Sequence, residues 1–542
     1  MATFRWGVIG LGLLSLAVTP SFVRAAAPVG APAPPGPLDA QALAQRIDFL
    51  INQQLAEHNT APAGATEDAE FLRRVYLDIG GRIPPVSEVR AFLNDSSPDK
   101  RRRVVERLLE SPYYVSNFTS VWREQMVPEN NNPQLRFVVN NFEIWLRQQI
   151  RDNAPYDALV RELITAPVNL QGGPAGRPVN PAAGAGNPIG YYQVNEFKAE
   201  NLAASTSRMF LGVKLECAQC HDHPFNSWSR QQFWEYAAFF SGVQPQGPNN
   251  FFAAGRENPQ SREIKIPGTE KLVQARFLDD TEPAWDNQLG TRAILAAWMT
   301  SADNPYFARA AVNRLWAHFF GIGLIEPVDE PGDDNPPSHP ELLDELAQQF
   351  AYHQFDLKYV IQAIVLSKTY QRVSVSPPSG QDEDPRLFAR MAVKGLTAEQ
   401  LFDSLVQATG YREQPAPNQR IAFGGNTPRA EFLNKFASQD KKTEKQTSIL
   451  QALSLMNGRF IADATSLERS ENLAAIADAP FLDTPGRIET LFLAALSRKP
   501  RPDELQRLVS YVERGGAKND PRSALADVFW VLLNSSEFML NH

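Results

Sequence analysis

The stretch Glu67–Asp95, "EDAEFLRRVYLDIGGRIPPVSEVRAFLND", reads as a helix, a Gly-Gly turn and a second helix with Pro85 near its start. The pattern repeats on both sides. Helical signals begin at about Asp39. Ser97-Pro98 restarts the chain into "PDKRRRVVERLLES", where Val105, Leu108 and Leu109 form an apolar stripe. The basic run Lys100–Arg103 on that helix is therefore a solvated face. Further helices are expected around Asn117–Met126, Phe137–Ile164 and Asn195–Phe210.

The 22 residues from Pro167 to Pro188, "PVNLQGGPAGRPVNPAAGAGNP", carry no hydrophobic period and read as a long loop. Gly242–Asp286 is poor in helix signals, and "REIKIPG" and "KLVQARFLD" alternate enough for short strands. After Leu289 the helices return. Asn304-Pro305 caps a helix with the stripe Ala308, Ala311, Val312, Leu315 and Phe319, ended by Gly321. Ser338 with Glu341, and Thr397 with Gln400, have capping-box spacing, and Gly410 suits a helix end. Four more helices are expected between Gln446 and Leu533.

The expected fold is mainly α: two helical modules joined by an irregular middle segment with a few short strands. The domain reading is a signal peptide at 1–25, a Pro/Ala-rich tether at 26–38, a helical module at 39–245, an extended connector at 246–289 and a C-terminal helical module at 290–542.

The leader follows from "MATFRWGVIGLGLLSLAVTPSFVRAAAPVG": Arg5, a short apolar run, then small residues, with Val23 and Ala25 at the −3 and −1 positions of a cleavage site. The apolar run is too short to span a bilayer, and no later run is long enough. The expected location is outside the cytoplasm, in the periplasm or cell envelope, with no transmembrane span after cleavage. Losing Arg5 and Arg24 moves the net charge from −8 to −10. That balance excludes nucleic acid, which needs a basic footprint.

The chain has two cysteines, both within "LECAQCHDHPFNSWSRQQFWEYAAFFSGV", Leu215–Val243. Cys217-Ala-Gln-Cys220-His221 has the spacing of a c-type haem attachment site. Two thiols on one turn reach the two vinyl groups of a porphyrin edge, and the adjacent imidazole meets the iron. Cys217 and Cys220 are then thioether anchors and His221 the axial ligand. One alternative is a zinc or copper site that adds His223. Another is a Cys217–Cys220 disulfide; thioredoxin-like exchange would need a βαβ context, which is absent.

Ser229 and Gln232 form a capping box for "RQQFWEYAAFF", whose aromatics either wall a haem or pack a core. Met126, Met209, His318, His339 and His353 are the remote candidates for a distal ligand, none in a telling motif. Glu326, Asp329, Glu330, Asp333 and Asp334 cluster near His339, with an acidic turn the better reading than a calcium cage. Asn313, Arg314 and Trp316 fit either a cleft or a buried polar network. No nucleotide loop, nucleophile elbow or metalloprotease helix is present.

These residues carry a resemblance. "RMFLGVKLECAQCHDHPFNSWSRQQFWEYAAFFSGV" resembles the core motif of the planctomycete cytochrome-type domain of the second kind, and "EFLRRVYLDIGGRIPPVSEVRAFLND" its start. The stretches Asp303–Phe350 and Lys358–Ser374 resemble its usual partner, the planctomycete surface-type domain. "LQALSLMNGRF", "LFLAALSRKPRPDEL" and "VFWVLLNSSEFM" continue the match. Both are domains of unknown function, and the cytochrome label implies Cys217, Cys220 and His221 as its haem residues. Two features depart from the family: the separate cytochrome module of many longer relatives is lacking, and an Arg-rich "RRL-AE" helix start appears here as "VKGLTAEQL", from Val393.

The functional expectation is an exported protein with a single covalent haem c, serving electron transfer or small-molecule redox chemistry with another exported redox or envelope protein. The alternative is a non-haem metal-binding or disulfide-stapled envelope binding protein without turnover.

Overall fold

A computed structural model of the chain describes residues 36–127, 135–168, 186–224, 226–245, 255–332, 334–375, 384–412, 427–436 and 459–542. The expected leader, nearly all of the tether and most of the loop Pro167–Pro188 lie outside them. The fold is mainly α, with an irregular middle segment. Among the described residues, no helix is long and apolar enough to cross a membrane.

Local signals account for many of the helix ends. Ser229–Gln232 and Thr397–Gln400 both close reciprocal capping boxes. Gly321 and Gly410 end their helices in the left-handed conformation. Asn304 accepts from the backbone N–H of Tyr306 and Phe307, opening the Phe307–Phe320 helix. Two expectations differ in detail. The single helix expected over Phe137–Ile164 is two, Leu135–Arg151 and Tyr156–Thr165, because Pro155 cannot continue the first. The Ser338 box does not form: His339 is the N-cap without a side-chain bond, and Ser338 instead donates through N–H and hydroxyl to the Leu324 carbonyl.

The strands are short. Glu263–Lys265 and Leu272–Gln274 pair antiparallel as a hairpin, where alternation predicted strands. Val243–Pro245 pairs with Gly255–Glu257, and Lys394–Gly395 with Leu540–Asn541.

Pro37–His542 forms one compact unit. Its main hydrophobic core is built from both sequence modules, running from Leu43 and Ile47 through Phe210 and Phe233 to Trp316, Val360 and Ile364. The Ala40–Glu57 helix packs along the Leu357–Leu366 helix, and Tyr156–Thr165 against Thr291–Met299. A second cluster joins Leu77 and Ile83 to Leu405, Leu491 and Phe529.

Polar side chains stitch the same seams. Asp48 accepts from the N–H groups of Lys368 and Thr369 and from the Thr369 hydroxyl. Arg292 is buried and donates to the carbonyls of Ile164 and Ala166, to the Tyr192 hydroxyl and to Glu257.

The Asp68–Gly80 helix carries a buried polar network. Arg73 donates to the carbonyls of Ala495 and Phe538, and burial pushes its guanidinium down to about 10. Arg74 donates to the carbonyls of Tyr370, Arg372 and His542. Asp78 receives Lys394, Tyr370 and Asn541.

Candidate functional site

The loop that bears both cysteines hangs between two helices. The Ala199–Phe210 helix ends at Leu211, and Gly212 turns the chain at φ +66°. A Cβ there would stand 3.1 Å from the Ala310 Cβ, so only glycine combines this backbone with so close a neighbour. Leu215 and Ala218 are fully buried and anchor a 3-10 turn, Glu216–Gln219. Cys217 and Cys220, on either side of Ala218, are both free and exposed.

The far side of the loop is tied to the Arg230–Ala237 helix. The Gln219 carbonyl accepts from Trp234 Nε1 at 3.0 Å and Arg230 Nε at 3.3 Å. The Asp222 carboxylate accepts from the Arg230 backbone N–H at 2.7 Å, satisfying one of that helix's first donors. The His223 N–H donates to the Trp228 carbonyl.

His221 is exposed, and its Nδ1 lies 2.7 Å from the Asp222 carbonyl. A carbonyl only accepts, so the ring donates from Nδ1, and in its neutral form Nε2 then carries the lone pair. Metal-binding histidines are oriented in the same way, through a hydrogen bond at the other ring nitrogen. Two accessible thiols and an Nε2-basic imidazole thus share five residues. These are the donor types that a c-type haem would need, two thiols and an imidazole.

The aromatics after the loop do not wall such a group. Phe233, Trp234, Tyr236, Phe239 and Phe240 are buried in the core, with Phe239 stacked on Phe277 at 5.1 Å. The remote candidates for a distal ligand have other roles. Met126 and Met209 are core residues. His318 Nε2 donates to the Asp78 carbonyl, and His353 Nε2 to the Leu38 carbonyl. His339 is buried beside Ser338, and burial pushes its imidazole down to about 4. Among the described residues, no three or more His, Cys, Asp or Glu side chains converge as a metal site.

The structure brings the acidic turn to this loop. Asp329 pairs with Arg208 at 2.6 Å, and Glu330 with Lys214 at 2.5 Å. The Lys214 N–H donates to the Asp329 carbonyl, and Asn226 Nδ2 to the Pro331 carbonyl. These carboxylates answer cations of the chain, as expected of an acidic turn. Asn313 holds the turn's base through Ile325 and Val328, and Arg314 donates to the carbonyls of Arg208 and Met209.

Sequence reading missed Asp222, Gly212 and the approach of the acidic turn. Only Gly212 carried a local signal. Elsewhere, Arg82, Asn117, Glu124, His318, Glu399 and Asp403 line a separate cleft. None of its lining residues belongs to the cysteine loop.

Compared with known proteins, residues 46–245 match the family PSCyt2, described as a protein of unknown function (DUF1549). Residues 291–431 match PSD1, likewise a protein of unknown function (DUF1553). No curated protein and no solved structure matches the chain.

Proposed function

We propose, for a chain whose residues 46–245 and 291–431 match the planctomycete-type domains PSCyt2 and PSD1, that the Cys217–His221 loop holds one c-type haem and that the protein is an exported electron carrier. The observation that carries this reading is the His221 Nδ1 contact with the Asp222 carbonyl, beside two free, exposed thiols. When bound, haem c supplies a one-electron couple.

The chain's own residues do the rest. Cys217 and Cys220 anchor the group through thioether bonds. His221 offers Nε2 to the iron, and the Asp222 carbonyl holds the ring. Ala218, between the two cysteines in the chain, is buried, while both of them are exposed. A surface site of this kind suits outer contact with another exported redox or envelope protein. Export rests on the leader at 1–25 and on haem attachment outside the cytoplasm. The acidic net charge argues against nucleic acid as the partner.

The second reading is a zinc or copper site that includes His223, or a Cys217–Cys220 disulfide, in an envelope binding protein without turnover. The exposed thiol pair favours it equally; the tautomer of His221 favours metal over disulfide. The deciding experiment is production in a host with haem-attachment machinery, followed by denaturing electrophoresis with haem staining. Haem that stays with the chain supports the proposal. Chain without haem, and with one zinc or copper ion or a disulfide, supports the second reading.

A further inference from the structure

The cysteine loop is held from two sides, and one of them belongs to the other domain. Residues 208–226 of the PSCyt2 domain meet residues 314–331 of the PSD1 domain through backbone and side chain alike. Lys214 N–H reaches the Asp329 carbonyl at 2.9 Å. Asn226 Nδ2 reaches the Pro331 carbonyl at 2.8 Å. Arg314 closes the end of the Ala199–Phe210 helix through the carbonyls of Arg208 and Met209, at 2.5 and 3.2 Å. Two ion pairs, Arg208–Asp329 and Lys214–Glu330, flank these bonds.

We infer that the PSD1 turn around Asp329–Pro331 is a positioning clamp for the Cys217–His221 loop. Through it the second domain sets how far the two thiols and His221 are presented. The bonds enter the loop on both sides of the cysteines, at Lys214 before them and Asn226 after them. Gly212, where a Cβ would stand 3.1 Å from the Ala310 Cβ, lets the entering segment come close enough for the clamp to reach. The flanking pairs are partly exposed, so each adds little stability alone. Their work is to hold the turn in register with the loop.

This inference rests on the loop being the functional site, and it is independent of whether the group held there is haem. The test uses full-length chain made without haem-attachment machinery and measures the rate at which Cys217 and Cys220 react with a chromogenic disulfide reagent. Asp329→Ala with Glu330→Ala is expected to change that rate several-fold, and Asn226→Ala in the same direction. Asp329→Glu should keep the wild-type rate. Asp344→Asn, which removes a different ion pair of the same domain, should also keep it. Folded variants reacting at the wild-type rate would overturn the clamp. Should the double variant fail to fold, Asp329→Asn decides together with Asn226→Ala. A changed rate in both supports the clamp, and an unchanged rate in either overturns it. Haem content, assayed separately, tells failure of the clamp from failure of the haem reading.

Discussion

The Asp78 carboxylate meets the Lys394 ammonium at 2.8 Å, with side chains 3% and 7% exposed. Lys394 donates also to the carbonyls of His318 and Phe319, and Asp78 accepts also from Tyr370 and Asn541. Each charge is therefore paired and hydrogen-bonded, the condition under which burial is tolerated. Removing one partner leaves the other uncompensated. Lys394→Met should cost about 3–5 kcal/mol, read as a lower midpoint in urea. A loss below about 1 kcal/mol would mean that water reaches the pair.

The same network bears on how the chain divides. Taken as sequence, 290–542 predicts a helical module able to fold alone. Its core faces, however, are shared: the Leu357–Leu366 helix lies against Ala40–Glu57, and Lys394 needs Asp78. The fragment 290–542 should therefore aggregate or lack cooperative melting, while full-length chain melts with both core clusters together. Circular dichroism on the two checks this. A soluble fragment with a sharp transition would restore the independent module.

Gly212 admits a sharper test. Its φ of +66° disfavours any side chain, and a Cβ would press on Ala310. Gly212→Ala should destabilise the protein by about 1–3 kcal/mol and raise proteolysis at the cysteine loop before global unfolding. A neutral effect would show that this segment can withdraw from the Phe307–Phe320 helix.

Buried His339 gives a pH dependence. Its folded value lies near 4, against an ordinary 6.5, because burial disfavours the imidazolium; His58 and Arg386 add to this and Asp384 opposes it. Between these values the unfolded chain binds more protons than the folded one. The stabilising contribution is thus complete above about pH 6.5 and is lost as pH falls towards 4. His339→Gln should flatten stability over that window. Equal slopes in both proteins would contradict the assignment.

What the sequence made legible is what neighbours in the chain decide. The Ser229 and Thr397 capping boxes, the glycine stops and the 263–274 hairpin follow from side chains a few positions apart. So does the placing of two thiols and a histidine within five residues. Where a distant partner competes, local reading fails: Ser338 forgoes its box for the Leu324 carbonyl. The Asp78–Lys394 pair spans 316 positions and the clamp on the loop more than a hundred. No periodicity encodes either. The aromatics after the loop show the same limit, since helical spacing suits a haem wall and a core equally and only tertiary packing places them in the core.

The most direct test of the haem assignment compares native absorption spectra of wild type, His221→Ala and His223→Ala, made in a haem-competent host, with covalent haem quantified as its pyridine haemochrome and zinc and copper assayed alongside. The proposal predicts covalent haem in wild type, a spectrum abolished or grossly changed in His221→Ala, and one little altered in His223→Ala. Wild-type protein without covalent haem, holding one metal ion that both histidine variants lose, would contradict it.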